Sequence, residues 1–173
     1  MMDERHVGFA EAIRLGFRNY FRFSGRAQRA EYWWFVLFGF LGQLVLTVPD
    51  AIFFGLDVVA DDVSPFASLF ALIVFIPTLS AGWRRMHDVG RSGLWLLLPY
   101  ATLIWMVAGL AVMGFEGEGV AALVVVLSGL VAFFVSLVFV IVQLATDSDP
   151  EPNRYGPSPK YDFEDEPYGD RYA

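Results

Sequence analysis

The chain has 173 residues, of which 56% are hydrophobic and 17% aromatic, with a formal net charge of −7 and a mean hydropathy of +0.50. This composition is more apolar than a water-soluble core requires, so it predicts a membrane protein. The chain contains no cysteine, which excludes disulfides, thiolate nucleophiles and cysteine-ligated metal or iron–sulfur sites.

The N-terminal segment, residues 1–24, is predicted to contain an amphipathic helix over 9–22. Charged residues interrupt this segment every few positions, so we expect no cleavable signal peptide. One side of the helix would be aromatic and the opposite side mostly basic. The aromatic side comprises Phe9, Ile13, Phe17, Tyr20 and Phe21, the polar side comprises Glu11, Arg14, Arg18 and Arg22, and Leu15 fits neither. We expect the helix to lie in the interface of an anionic leaflet; the alternative is that it packs on its own bundle.

Four long stretches without Asp, Glu, Lys or Arg follow, over 32–49, 63–83, 92–115 and 119–146. Each is long enough to cross about 30 Å of hydrocarbon as a helix. The sequence therefore predicts an all-α membrane protein with a four-helix transmembrane bundle over 25–146 and spans at about 30–56, 63–84, 92–115 and 119–146. Asp50 would lie near the far interface, and Pro77 and Pro99 would kink or end their helices.

The basic residues predict the orientation of these spans. Six precede the first span, three lie at 84–91 and three lie in the tail, whereas none lies at 57–62 or near the acids of the last loop. This alternation follows the positive-inside rule and places both termini in the cytoplasm. Trp33, Trp34, Trp83 and Trp95 fall at the same ends of their spans, as expected of headgroup-level indoles.

Residues 147–173 form a tail of different composition. It contains five prolines and eight acids with almost no aliphatic residue. Such a segment cannot build a core, so it is predicted to be a flexible, disordered acidic tail with local turns on the cytoplasmic side.

Charged and small residues at the cytoplasmic ends of the first three spans form the candidate site. Ser24 is predicted to cap a helix that begins near Gly25 and carries Arg26 and Arg29 at phosphate depth. We expect Glu31 to pair with an arginine of the second cytoplasmic segment, most simply Arg85, unless each charged group reaches water or phosphate separately. Asp88 would turn toward Arg26 or Arg29. The remaining candidates are Arg84, His87, Arg91, Ser92 and Gly93, with Ser92 capping the third span, and the tail motif Asn153, Arg154, Tyr155, Gly156 and Pro157.

The sequence gives little indication of catalysis. The adjacent His87 and Asp88 would point about 100° apart on a helix, so they do not predict an acid–base pair. The other histidine, His6, lies in the N-terminal segment, and no phosphate-binding or dinucleotide fingerprint is present. We therefore expect no enzyme activity, no metal and no cofactor.

Three segments together resemble a known family. They are FSGRAQRAEYWWFVLF at 23–38, GWRRMHDVGRSGLWLLL at 82–98 and PNRYGPSP at 152–159. Their order and their separation by hydrophobic spans are similar to those of the DUF805 family of small bacterial inner-membrane proteins. The resemblance implies a multi-span inner-membrane protein and supplies no biochemical activity. The acidic tail after Lys160 is longer than the family pattern.

Two functions remain open from the sequence. In the first, the protein is a non-catalytic membrane module whose cytoplasmic arginines and aromatic residues bind anionic lipid or an unidentified protein partner. In the second, it is a small homo-oligomeric channel or transporter, lined by Gln43, Gln143 or the serines of its spans. Nucleic-acid binding is not expected, because four spans would hold the basic N-terminal segment against lipid headgroups.

Overall fold

The computed structural model describes residues 3–55, 64–112 and 120–162, and the fold of these residues is a helical bundle. The helices are α1 (Phe9–Arg18), α2 (Arg29–Phe54), α3 (Pro65–Asp88), α4 (Leu98–Val112) and α5 (Val120–Ala145). A short 3₁₀ helix, Gly93–Leu97, leads into α4. Two two-residue strands, β1 (Asp3–Glu4) and β2 (Tyr161–Asp162), pair antiparallel.

The four predicted spans are present as four long apolar helical segments: Arg29–Phe54, Pro65–Asp88, Gly93–Ala111 and Val120–Ala145. Each is long and apolar enough to cross a membrane. The second span continues to Asp88 rather than ending at 84, so most of the predicted charged loop is the last turn of α3. The third span begins with a 3₁₀ turn, where Ser92 accepts a hydrogen bond from the Leu94 amide as predicted.

The prolines affect the helices differently. Pro77 lies inside α3, where it removes an amide that would have bonded to the Ile73 carbonyl. The Tyr20 hydroxyl donates to that carbonyl instead, at 2.8 Å. Pro99 is the second residue of α4, a position that needs no amide donor, and it lies where the 3₁₀ helix of the third span gives way to α-helix.

The four spans are arranged as two helical hairpins. Helix α2 packs mainly along α3, and α4 packs along α5, whereas α3 and α5 touch through few residues. Glycine permits close contact within each hairpin, because a Cβ on Gly42 would collide with the Phe70 ring and one on Gly129 with Met106. The two hairpins meet in a smaller apolar cluster, in which Met86 of α3 packs against Val140 and Leu144 of α5.

Helix α1 ends at Arg18, four residues earlier than predicted. Asn19 ends it, because both its backbone amide and its side-chain amide donate to the Leu15 carbonyl. Ala12 and Leu15 are buried, and Leu15 packs with Val7 and Ala30. Leu15 did not fit the predicted faces because it belongs to a third face, which packs on the bundle; the location of α1 at a membrane interface stays a prediction.

The chain between α1 and α2 differs from the prediction that Ser24 caps a helix starting near Gly25. Helix α2 begins at Arg29, with Gln28 at its N-cap position, and Ser24 is exposed. Gly25 has a φ of 83°, a left-handed conformation that turns the chain toward the end of α3. The Ala27 amide then donates to the Arg84 carbonyl at 3.1 Å.

The prediction of a flexible tail from residue 147 is wrong for residues 147–162, while residues 163–173 lie outside the described residues. The Gln28 side-chain amide donates to the Pro159 carbonyl at 2.7 Å, and the Arg5 amide donates to the Lys160 carbonyl at 2.9 Å. The segment has no apolar core of its own, but it is held by polar groups of the N-terminal half of the chain.

Candidate functional site

Five charged side chains meet at one end of the bundle and are called the arginine cluster here: Arg26, Glu31, Arg84, Arg85 and Asp88. The last turn of α3 supplies three of them, the first turn of α2 supplies Glu31, and the turn before α2 supplies Arg26. All five are buried, and Arg85 and Asp88 are fully so. Charges are this deeply buried only when they are paired.

The cluster contains three ion pairs. Arg84 Nη1 lies 2.7 Å from Glu31 Oε1, and Arg26 Nε lies 2.9 Å from Asp88 Oδ1. The second Asp88 oxygen is bound by Arg85 Nη1. The Glu31–arginine pair and the Asp88–Arg26 pair agree with the sequence prediction, but Arg85 as the partner of Glu31 is wrong. Arg85 shares a helix face with Asp88, three residues on, and Arg84 points about 100° away, toward α2.

The guanidinium groups of the cluster also bind backbone carbonyls. Arg85 donates to the carbonyls of Leu144 and Thr146 at the end of α5. Arg26 donates to the carbonyls of Asp149, Glu151 and Gly156. The cluster thus has three cations for two carboxylates, and the surplus positive charge faces the carbonyl-rich C-terminus of α5, where a cation is favourable.

The predicted tail motif covers the cluster. The rings of His87 and Tyr155 stack with centroids 3.7 Å apart and an interplanar angle of 2°. Asn153 Nδ2 donates to the His87 carbonyl at 2.9 Å, and Asn153 and Gly156 exchange backbone hydrogen bonds. The Arg154 guanidinium lies 4.7 Å from the centre of the Tyr155 ring, and Pro157 follows on the exposed side. His87 Nδ1 donates to the Gly25 carbonyl. His87 therefore connects the end of α3 both to the turn before α2 and to the tail motif.

An ion pair joins the residues on either side of the tail motif. Lys160 Nζ lies 2.9 Å from Asp147 Oδ2, and this pairing lowers the pKa of the Asp147 carboxyl. The neighbouring Tyr161 hydroxyl, followed by Asp147, raises the pKa of Lys160 to about 12. Both groups are therefore charged at neutral pH and hold the two ends of segment 147–160 together.

Besides Ser24, Gly25 and His87, four of the predicted residues lie outside the cluster. Arg29 is exposed and makes one long hydrogen bond, 3.4 Å, to the Ala145 carbonyl. Arg91 donates to the Gln143 side chain at 2.9 Å and lies over the Phe139 ring. Ser92 caps the 3₁₀ helix, as described above, and Gly93 packs against the Trp83 indole.

The geometry offers the cluster little acid–base chemistry. Both Asp88 oxygens are engaged by arginines, and the His87 ring is held by Gly25 and Tyr155. Among residues 3–55, 64–112 and 120–162, no group of three or more His, Cys, Asp or Glu side chains could hold a metal ion. The arrangement joins three chain segments by charge and hydrogen bonds.

The chain matches the model of a known protein family over most of its length. The model of a family described as "Protein of unknown function (DUF805)" matches residues 20–157, which include all four spans, the arginine cluster and the tail motif. The chain belongs to this family. No solved structure matches the chain.

Two relatives of this DUF805 protein are inner membrane proteins. The chain is 40% identical over 92 residues to "Inner membrane protein YhaI" of Escherichia coli (strain K12), an alignment that covers 52% of the chain and 72% of the relative. It is 32% identical over 91 residues to "Inner membrane protein YhaH" of the same strain, which covers 52% of the chain and 74% of the relative. The helix α1 precedes the region that the DUF805 model matches.

Sequence reasoning missed the structural roles of Asp50 and Tyr20 in this DUF805 protein. Asp50 is fully buried in α2, and its two oxygens accept the amides of Phe66 and Ala67 at 2.9 and 3.0 Å. Pro65 at the start of α3 was the available signal, since it marks a helix N-terminus that needs an acceptor. Tyr20 was assigned to the aromatic face, and its hydroxyl could have been matched with the carbonyl that Pro77 frees.

Proposed function

We propose that this protein is a non-catalytic inner-membrane protein whose α1–α2 surface binds anionic phospholipid in the cytoplasmic leaflet. Two classes of arginine support the proposal. Those of the arginine cluster are buried and paired, so lipid cannot reach them. In contrast, Arg14, Arg18 and Arg22 are exposed, and their guanidinium groups have no hydrogen bond or ion pair within the described ranges. Arg14 and Arg18 lie one turn apart on α1 and Arg22 follows the helix, and exposed guanidinium groups are suited to phosphate.

The observation that carries the proposal is how α1 is fixed to the bundle. The Asn19 carbonyl accepts from the Ser80 hydroxyl at 3.0 Å, and Phe17 packs edge-on against Phe35 and Phe38 of α2. Ser80 lies four residues before Arg84 and eight before Asp88, so the end of α1 lies about 6–12 Å from the cluster residues of α3 along the helix axis. At this depth the aromatic side of α1 would lie among acyl chains and its basic side among headgroups.

The polar groups of the spans favour lipid binding over the channel alternative. The hydroxyls of Thr78, Ser128 and Ser136 donate to carbonyls of their own helices. Gln143 accepts the hydrogen bond from Arg91, and Asp50 caps α3. These groups are engaged within one chain, and no contact of the described residues specifically supports a solute path.

Spin-labelled lipids test the proposal on the full-length protein in vesicles. We expect the wild type to immobilise spin-labelled phosphatidylglycerol more than phosphatidylcholine. The variant Arg14→Gln, Arg18→Gln, Arg22→Gln should reduce this preference by at least roughly five-fold, since a single arginine near an anionic surface already contributes about 1 kcal/mol. High salt should weaken the wild-type preference.

The matched control replaces the same three arginines with lysine. Lysine keeps the positive charge, so the lysine variant should retain most of the preference for phosphatidylglycerol. Equal preference in the wild type and the glutamine variant would overturn the proposal, and α1 would then serve only to pack on the bundle.

A further inference from the structure

A cavity of ≈490 Å³ lies between the two helical hairpins. All four spans contribute to its wall: it extends from Tyr32 and Leu144, next to the arginine cluster, to Phe75, Leu103 and Phe133 deeper in the bundle. The cavity exists because α3 and α5 touch through few residues. The cavity is open to the outside of the bundle, since Phe75, Tyr100 and Ile141 of its wall are exposed, so a molecule from the surrounding membrane can enter it.

The wall of the cavity suits hydrocarbon. Leucine, valine, isoleucine and aromatic side chains form most of it, and the Thr78 hydroxyl is bonded to the Val74 carbonyl. Along α3 the lining extends from Gly82 to Phe75, which is about 10 Å of helix. The hydroxyl-bearing side chains of Tyr32 and Tyr100 also line the cavity, whereas most of its wall offers water no polar partner. At the depth of the membrane core, the available apolar occupant is an acyl chain.

Arg29 lies at the headgroup end of this space. Trp33 lines the cavity and also a second groove of ≈350 Å³, which runs along the outside of α2 past Arg29, Trp34 and Leu37. The Trp33 indole donates to the Leu144 carbonyl at 3.1 Å and so separates the two spaces. The Arg29 guanidinium is exposed and has a single long hydrogen bond. A positive charge thus lies in the outer groove, about one helical turn from Trp33, the residue that lines both spaces.

We propose that the cavity between the hairpins holds one acyl chain of an anionic phospholipid, whose phosphate is bound by Arg29 and whose second chain lies along Trp34 and Leu37. The proposal deepens the proposed function, on which it rests for the choice of an anionic lipid, but it concerns a different site. The α1 arginines give a preference among many surface lipids, whereas this site retains a single molecule.

Native mass spectrometry of the detergent-solubilised full-length protein with added phosphatidylglycerol tests the site. We expect one lipid to remain bound to the wild type. Thr78→Phe places a ring in the cavity and should weaken binding by at least about ten-fold, because displacing even two methylene groups accounts for that factor. Arg29→Gln should weaken it by about five-fold. The control Leu72→Phe, at a position on α3 that is 71% exposed, should bind like the wild type.

Photo-crosslinking keeps the proposal testable if Thr78→Phe does not fold. Leu137 lines the cavity, and the next residue of α5, Val138, is 59% exposed. With benzoylphenylalanine at position 137, crosslinks in a mixed phosphatidylglycerol and phosphatidylcholine membrane should be enriched in phosphatidylglycerol. At position 138 they should match the bulk composition. Equal lipid ratios at both positions, or unchanged lipid retention by Thr78→Phe, would overturn the cavity site.

The two lipid proposals fail separately. If the α1 glutamine variant loses surface preference while Thr78→Phe retains its lipid, the cavity site is wrong and the proposed function stands. If Thr78→Phe and Arg29→Gln release the lipid while the α1 variant behaves like the wild type, the single-lipid site stands and the role of α1 is wrong.

Discussion

At the level of single residues, Asp50 shows how a charge can be buried in a membrane helix. Its carboxylate is fully buried and accepts the amides of Phe66 and Ala67, two of the donors that the start of α3 would otherwise leave unsatisfied. The positive end of the α3 dipole stabilises the negative charge. Ser64 occupies the N-cap position of α3, but its side chain makes no capping hydrogen bond. The cap is therefore supplied by the neighbouring helix.

Asp50→Ala should destabilise the protein by about 2 kcal/mol, at the upper end of helix-cap effects, because two buried amides lose their acceptor. Ser64→Ala is the matched control and should change the free energy of unfolding by less than about 0.5 kcal/mol. Denaturant unfolding in mixed micelles measures both. Equal effects of the two substitutions would show that Asp50 is not the cap.

The Tyr20 hydroxyl compensates for Pro77 in α3. It donates to the Ile73 carbonyl, the acceptor that an amide at position 77 would otherwise use. This contact lies within the hydrophobic span, where an unsatisfied carbonyl is costly. It also fixes the chain just after α1 to the middle of α3.

Tyr20→Phe should cost about 1 kcal/mol of stability in the wild-type background, the typical net contribution of one hydrogen bond. In a Pro77→Ala background the same substitution should have almost no effect, because the alanine introduced there has a backbone amide that can donate to the Ile73 carbonyl. A double-mutant cycle measures this coupling. Equal losses in the two backgrounds would contradict the compensation.

At the level of elements, the sequence predicted the spans well and the partners of their charges less well. The four spans follow from local hydropathy and length. Glu31 pairs with Arg84 and not with Arg85 because of the rotation of α3 about its axis. Neighbouring residues of a helix point about 100° apart, so only one of the two arginines faces α2. Sequence alone could not fix that rotation, because packing against α2 and α5 sets it.

The segment 147–162 was mispredicted for a different physical reason. Its composition lacks apolar residues, so an argument from core burial predicts disorder. The described residues show that Arg26, Gln28 and His87 supply hydrogen bonds and a stacking surface instead. Multiple donors on one guanidinium can order several turns of chain. Neither the distance between these residues in the sequence nor their composition indicates this contact.

Glu31 and Arg84 should depend on each other for their contribution to stability. Glu31→Gln and Arg84→Gln should each destabilise the protein by about 3–5 kcal/mol, because each leaves one buried charge unpaired. The double substitution should cost clearly less than the sum. Arg85→Gln is the matched control: it disrupts the Asp88 pair, so its effect should add to that of Glu31→Gln. Thermal unfolding in detergent measures the cycle, and coupling of Glu31 to Arg85 instead of Arg84 would contradict it.

At the level of the whole molecule, the two hairpins are joined at one end by the arginine cluster and separated deeper in the bundle by the cavity. The guanidinium of Arg85 connects α3 to the end of α5, and Trp33 connects α2 to α5. Strands β1 and β2 pair Glu4 with Tyr161, so the described ends of the chain lie on the same side of the bundle. Polar contacts at that end therefore hold the two hairpins together, along with the apolar cluster of Met86, Val140 and Leu144.

The final prediction is the orientation of this end in the membrane. The arginine cluster, the α1 arginines and Lys160 all lie on the side of the described chain ends, and the positive-inside rule assigns such a side to the cytoplasm. In the cysteine-free background, Ser158→Cys should react with a membrane-impermeant maleimide only after cells are permeabilised. Ser64→Cys, at the opposite end of α3, should react in intact cells. The reverse labelling pattern would place the cluster outside, and lipid binding by α1 and Arg29 would then have to occur in the outer leaflet.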